Sequence, residues 1–102
     1  MPFTIRLESE NGTTIKEVVD PRGILSHLLP GYDDFSFPML RFIDPYGDTV
    51  FNRFQMRFFG KEMERILQKA KSKEEKDLLV EILELAAQGV TEVHLYLKFY
   101  GD

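Results

Sequence analysis

Residues 38 to 54 read Pro-Met-Leu-Arg-Phe-Ile-Asp-Pro-Tyr-Gly-Asp-Thr-Val-Phe-Asn-Arg-Phe, and this stretch decides the predicted fold. Two segments of alternating apolar residues flank Asp44-Pro45-Tyr46-Gly47, which is typical of a type I turn closed by a left-handed glycine. The pattern predicts a β-hairpin with a three-residue loop that sets Phe42 opposite Val50. One face of this hairpin is apolar, and its Leu40, Phe42 and Val50 are expected to be covered by helices. The other face carries a mixed set: Met39, Arg41, Ile43, Phe51 and Arg53.

A second hairpin is predicted closer to the N-terminus. Apolar and polar residues alternate from Phe3 to Glu10, and the following Asn11-Gly12 is the dipeptide favoured in two-residue hairpin loops. The predicted cross-strand pairs are Ile5 with Val18 and Arg6 with Glu17, one apolar and one of opposite charge. Residues 13 to 19 mix their faces, which indicates an edge strand.

Three helices are predicted from apolar residues at helical spacing. Asp20-Pro21 favours the start of a short helix over residues 21 to 29, before an aromatic loop at residues 30 to 37. A longer amphipathic helix covers residues 57 to 71, with Glu62 among the charged residues of its polar side. The strand alternation continues through Phe54, Met56 and Phe58 and leaves the start of this helix open. Ser72-Lys73-Glu74-Glu75 is a capping-box pattern that starts a third helix ending at Gly89.

The last predicted strand runs from Val90 to Tyr100, and its length and apolar face place it inside the sheet. On that face, Val93, Leu95, Leu97 and Phe99 are expected to lie under the two long helices. The element order is ββ-α(short)-ββ-α-α-β. We therefore expect a single α+β domain over residues 1 to 102, a two-layer sandwich. Its antiparallel sheet of about five strands would carry an αα-hairpin on one face.

Composition excludes several classes of function. The 102 residues include no cysteine, so disulfides, thiolate metal sites and cysteine nucleophiles are absent. The net charge of −4 argues against a nucleic acid partner, because phosphate binding needs a basic surface. No leader pattern and no apolar run of membrane length is found. We expect a soluble, acidic, cytoplasmic protein that binds neither nucleic acid nor membrane.

The sheet face opposite the two long helices is the candidate binding surface. Rings and guanidinium groups are enriched in buried interface cores, and this face is rich in both. The candidate interface residues are Arg41, Phe51, Arg53, His94, Tyr96 and Tyr100. An equally weighted alternative is that the short helix and residues 30 to 37 fold over this face and form a second small core.

The sequence contains little evidence for a metal, cofactor or nucleic acid site. Asp33, Asp34, Asp44 and Asp48 supply oxygen ligands, but their spacing matches no calcium loop and turn aspartates usually bond turn amides. No glycine loop for phosphate, paired metal histidines or nucleophile elbow is present. The sequence predicts no cofactor and no metal. Arg41 opposite Phe51 is interpreted as a cation–aromatic pair rather than a stacking platform for single strands.

Two functions are consistent with these patterns. The first is a non-catalytic protein-binding or regulatory module that uses the exposed sheet face, either for a partner or for self-association. Size and acidity extend this hypothesis to an immunity-like or inhibitor-like role against a basic protein. The alternative is a small enzyme or ligand-binding protein with a pocket near Glu92, His94, Tyr96 and residues 30 to 37.

Overall fold

A computed structural model describes residues 2 to 101 and shows an antiparallel four-stranded sheet with two long helices on one face. The strands are β1 (Phe3–Ser9), β2 (Thr14–Asp20), β3 (Asp48–Phe51) and β4 (Leu95–Gly101). The helices are α1 (Ile24–Leu28), α2 (Arg53–Lys69) and α3 (Lys73–Thr91), with a 3₁₀ turn at Leu40–Phe42. The spatial order is β2-β1-β4-β3. The α+β two-layer prediction is confirmed, with four strands rather than five.

The N-terminal hairpin has the predicted pairs, Ile5 with Val18 and Arg6 with Glu17. Its loop is one residue longer than predicted, because the Ser9 amide bonds the Thr13 carbonyl at 2.9 Å and only Gly12, at φ 87°, is left-handed. The register then shifts between Leu7 and Glu8, which restores the predicted pairing farther along the strands. As predicted, β2 is an edge strand and β4 lies inside the sheet.

The predicted central hairpin is wrong, since residues 38 to 43 form no strand. The amides of Met39 and Leu40 donate to the carboxylate of Glu62, each at 3.0 Å, and the chain coils into the 3₁₀ turn. Backbone amides bound to a carboxylate on α2 are not available to a sheet ladder. Strand β3 therefore pairs only with β4 and is the second edge of the sheet.

Because that hairpin does not form, the side chains of β3 point to the opposite faces from those predicted. Phe51 is only 3% exposed and packs beneath the helices, where its ring lies 5.2 Å from that of Phe59. Val50, predicted to be covered, faces solvent opposite Lys98, and Phe42 is also exposed. The Asp44 turn does form, with the Tyr46 amide bonded to Asp44 Oδ1 at 2.9 Å.

Helix α2 starts earlier than predicted because Asn52 and Gln55 form a capping box. The Gln55 amide donates to the side chain of Asn52, and the Asn52 amide donates to the side chain of Gln55, both at 2.9 Å. This cap ends the strand alternation at Phe51. The capping box predicted for α3 at Ser72 and Glu75 is confirmed.

Helix α3 continues past its predicted end at Gly89. This glycine lies inside the helix, where a Cβ would stand 2.3 Å from the sulfur of Met56. Its missing side chain therefore permits close packing of α3 on α2 rather than ending the helix. Strand β4 consequently begins at Leu95, and Val93, predicted to be covered by the helices, is exposed.

The core lies between the helices and one face of the sheet. Leu25 of α1 and Phe37 belong to this same core, and both oxygens of Asp20 accept the first amides of α1, Ile24 at 3.0 Å and Leu25 at 2.8 Å. Residues 21 to 37 thus pack with the helices and do not build a second core on the far side. We call the uncovered side of the sheet the open face. Its residues, by strand alternation, are Thr4, Arg6, Glu8, Glu17, Val19, Asp48, Val50, Tyr96, Lys98 and Tyr100.

Candidate functional site

The six predicted interface residues do not share one face. Tyr96 and Tyr100 lie on the open face, as predicted, and both are half-buried. Arg53 and His94 lie beyond the strand ends, in the first turn of α2 and just before β4. Phe51 belongs to the core and is not available to a partner.

Arg41 is separated from the other five because it lies in the 3₁₀ turn. Its guanidinium carbon lies 4.5 Å from the ring centre of Phe35 and 4.3 Å from that of Phe42, and its Nη1 donates to the Tyr32 carbonyl at 2.8 Å. The predicted cation–aromatic pair with Phe51 is therefore wrong. Arg41 instead holds residues 32 to 42 together.

Glu8 is the centre of a polar network on the open face. Only 4% of this residue is exposed, although no second layer covers it. The Tyr100 hydroxyl donates to Glu8 Oε2, and Lys98 Nζ lies 3.0 Å from Glu8 Oε1. The Arg6 guanidinium lies over the Tyr100 ring at 5.3 Å, with its Nε 3.8 Å from the Glu17 carboxylate. Glu8, Lys98 and Tyr100 thus satisfy one another, whereas Arg6 Nε is buried and has no hydrogen-bond partner among the described residues.

This network changes the acidity of its members. Burial alone would raise the pKa of Glu8, but hydrogen bonds from Tyr100 and Lys98 outweigh it and hold that pKa below its usual value. The same bond to Glu8 raises the pKa of Tyr100, and the bond between Lys98 and Glu8 raises the pKa of Lys98. Glu8 stays ionised while Lys98 and Tyr100 stay protonated at neutral pH.

A pocket of about 400 Å³ brings three of the predicted residues together, where the open face meets the start of α2. We call it the sheet-edge pocket. Its lining residues are Asn52, Arg53, Phe54, Val93, His94, Leu95 and Tyr96. Phe54 is 74% exposed and Val93 59%, so two apolar side chains stand at its rim. Arg53 lies over the Phe54 ring at 5.6 Å.

His94 has a left-handed backbone, which is uncommon outside glycine although histidine adopts it more often than most residues. Its φ of 64° is the one left-handed value outside glycine among residues 2 to 101. The imidazole Nδ1 lies 3.4 Å from the carboxylate of Glu10, but both side chains are more than half exposed. An exposed pair of this kind contributes little to stability and is not a desolvated acid–base dyad.

Residues 30 to 37 lie away from the sheet-edge pocket. They pack against the C-terminal half of α2, where Arg65 Nη1 donates to the Ser36 carbonyl at 2.7 Å and its guanidinium lies 4.2 Å from the Phe37 ring centre. Glu92 caps the end of α3 and does not line the pocket. The predicted grouping of His94, Glu92 and Tyr96 with this loop is therefore not formed.

Two residues that matter here escaped the sequence analysis. Phe54 was interpreted as a strand residue, although Asn52 and Gln55 carry a readable capping-box spacing that places it on α2. Glu62 was assigned to the polar side of that helix, yet it is 6% exposed and holds the amides of Met39 and Leu40. No local pattern indicates that second role.

Within residues 2 to 101, no group of three or more histidine or acidic side chains is arranged to hold a metal ion. The helices described in that range are all too short or too polar to cross a membrane. Comparisons of the chain with protein-family models, curated proteins and solved structures found no match in any of the three.

Proposed function

We propose that this chain is a non-catalytic protein-binding module that docks its partner at the sheet-edge pocket and the adjoining end of the open face. The observation that carries the proposal is the gathering of Arg53, His94 and Tyr96 around one concavity whose rim exposes Phe54 and Val93. Arginine and aromatic side chains grouped around a pocket are the composition of interface hot spots. The pocket would receive an anchoring side chain of the partner.

The rest of the open face would have a supporting role in this interface. Its carboxylates and cations already pair, so a partner gains little from displacing them. The paired network holds β1 and β4 rigid beside the pocket, and rigidity lowers the entropy lost on docking. Tyr96 joins the two regions, since it stands on the open face opposite Glu8 and also lines the pocket.

Photo-crosslinking tests the proposal directly. A benzophenone amino acid would replace Phe54 in one protein and Tyr46 in a control, because the two aromatic residues are equally exposed at 74%. Tyr46 precedes β3 at the opposite end of the sheet from the pocket. We expect a protein partner, or a second copy of this chain, to crosslink from position 54 and not from position 46.

The crosslinked partner would then be purified and its affinity measured by calorimetry. We expect Phe54→Ser and Tyr96→Ala each to weaken binding about tenfold, as loss of a hot-spot side chain does. Tyr46→Ala should leave the affinity unchanged. Equal crosslinking from positions 46 and 54, or undiminished binding by both pocket variants, would contradict the proposal.

A small-ligand site in the same pocket is the second candidate, favoured by the left-handed backbone of His94. Backbone outliers of this type concentrate at ligand sites. Arg53 and His94 would suit a small anion, so inorganic phosphate is the first probe. A shift of the His94 imidazole resonances that is lost in Arg53→Gln would support this candidate, and unshifted resonances at millimolar phosphate would remove it.

A further inference from the structure

A row of five cations crosses the solvent side of α2. We call it the basic row, and its members are Arg53, Arg57, Lys61, Arg65 and Lys69. They recur at every fourth residue, so successive members are about 6 Å apart along the helix axis and the row spans about 24 Å. Helix α2 has five basic and two acidic residues, in contrast to α3 with two basic and five acidic ones. In a chain of net charge −4, α2 thus carries an excess of positive charge, although the carboxylates of Glu64 and Glu84 line a pocket together with Arg57 and Lys61.

No member of the basic row forms a salt bridge within residues 2 to 101, although the charges of Arg65 and Lys69 add to the hydrogen bonds of Ser36 in lowering the pKa of Asp34. Among residues 2 to 101, no acidic oxygen lies within 4.0 Å of any of the five cationic groups. Some cations elsewhere do form salt bridges, as Lys98 does with Glu8 and Lys73 with Asp77. Neighbours four apart with the same charge destabilise a helix, so this spacing works against folding rather than for it.

Aromatic rings accompany the row. Phe54 and Phe58 are 74% and 56% exposed on the same side of α2, and Lys61 Nζ lies 6.0 Å from the Phe58 ring centre. Rings and cations that share an exposed surface are the groups that interface cores enrich. Because Arg53 and Phe54 also line the sheet-edge pocket, the row begins at the proposed docking site.

An apolar groove runs beside the middle of the row. It has a volume of about 430 Å³, and its walls include Pro38, Met39 and Phe58, with Lys61 and Arg65 beside them. The one acidic residue that lines it, Glu62, is buried and bonded to the amides of Met39 and Leu40. The rim that a ligand meets is therefore positive.

We propose that the basic row and this groove bind an acidic segment of the protein partner, with carboxylates on the cations and an apolar side chain in the groove. The inference rests on the proposed function and adds the chemistry of the partner. A helical segment with an acid at every fourth residue repeats at the same 6 Å as the row. Nucleic acid is disfavoured because the rest of the chain is acidic and would repel a long polyphosphate.

Fluorescence anisotropy with a synthetic peptide tests this inference without the natural partner. The probe is a labelled peptide of about sixteen residues, long enough to span the row when helical. It carries glutamate at every fourth position and leucine between the glutamates. The control peptide replaces each glutamate by lysine. We expect the acidic peptide to bind, the lysine peptide not to bind, and the affinity to fall about tenfold from low to physiological salt as screening increases.

Matched variants test whether peptide binding depends on the basic row itself or only on the net charge of the protein. Arg57→Gln with Lys61→Gln removes two exposed charges from the row and leaves Arg65 in place on Ser36 and Phe37, and Lys71→Gln with Lys76→Gln removes two from exposed positions outside it. The row variant should bind the acidic peptide about tenfold more weakly, and the control variant less than twofold. Equal losses in both variants, or no binding by the wild type at millimolar peptide, would overturn the inference.

Other anionic partners are competing outcomes of the same assay. Tighter binding of a single-stranded oligonucleotide, or of phosphatidylserine vesicles, than of the acidic peptide would also overturn the inference. The peptide assay reports on the row, whereas crosslinking from position 54 reports on the pocket with the natural partner. Failure of one is therefore distinguishable from failure of the other.

Discussion

The open face of the sheet and the outer face of α2 are both polar, but their charges are arranged differently. On the open face, Glu8 is bonded to Lys98 and Tyr100, and these three groups satisfy one another within the fold. On α2, the five cations of the basic row form no salt bridge among residues 2 to 101, and the exposed rings of Phe54 and Phe58 lie beside its N-terminal half. The first arrangement stabilises the molecule, and the second leaves interaction energy available to a partner.

The largest expected effect is the loss of Glu8. Glu8→Ala leaves Lys98 and Tyr100 without their acceptor, and a hydrogen bond to a charged group is worth about 1.5–3 kcal/mol. Because the network borders solvent, we expect a fall of about 2 kcal/mol in the free energy of unfolding, measured by urea denaturation. Glu64→Ala, which removes an exposed carboxylate from α2, is the control and should change little. A Glu8→Ala protein as stable as the wild type would remove the distinction between the two faces.

A smaller effect is expected in the pH dependence of the free energy of unfolding. The folded pKa of Glu8 is depressed, so its contribution is present above the unfolded value near 4.5 and is lost as pH falls through the folded pKa. The raised pKa values of Lys98 and Tyr100 act in the opposite sense. Their contribution is present below the unfolded values near 10 and is lost as pH rises through the folded ones.

Denaturation of wild type and Glu8→Gln across the acid range measures the first of these contributions. We expect the wild type to lose roughly 1 kcal/mol more than Glu8→Gln between pH 7 and pH 3, since the variant lacks the titrating group. Identical acid profiles for the two proteins would show that Glu8 is not held in its ionised form by the network.

The smallest effect concerns the basic row. Lys61 has a like charge four residues before it, at Arg57, and another four residues after it, at Arg65. Lys61→Gln should therefore raise the melting temperature slightly, by about 2 °C at low salt, and the gain should vanish at high salt. Lys76→Gln on α3 serves as the control. A clear fall in melting temperature for Lys61→Gln would mean that this cation supports the fold.

Most of the fold could be predicted where local signals and burial agree. Alternation with Asn11-Gly12 predicted the pairing of β1 with β2, and Ser72 with Glu75 predicted the start of α3. Residues 38 to 43 alternate just as convincingly, but Glu62, more than 20 residues away, binds their amides. A tertiary contact of this kind leaves no mark in the local pattern.

The site could be predicted only in part because face assignments depend on strand pairing. The faces of β3 were assigned from a hairpin that does not form, and β3 pairs instead with β4, where Phe51 lies opposite Leu97 in the core. Tyr96 and Tyr100 were placed correctly because β4 alternates without interruption. The basic row was readable as a four-residue repeat once residues 53 to 56 were recognised as helical.

An NMR titration of the ¹⁵N-labelled protein with the acidic peptide tests the contrast between the two faces most directly. We predict amide shifts along residues 53 to 69 and at Ser36 and Met39, which border the groove. The amides of Glu8, Lys98 and Tyr100 should not move, because their side chains are already paired. Shifts centred on those three residues, with α2 unperturbed, would contradict this account.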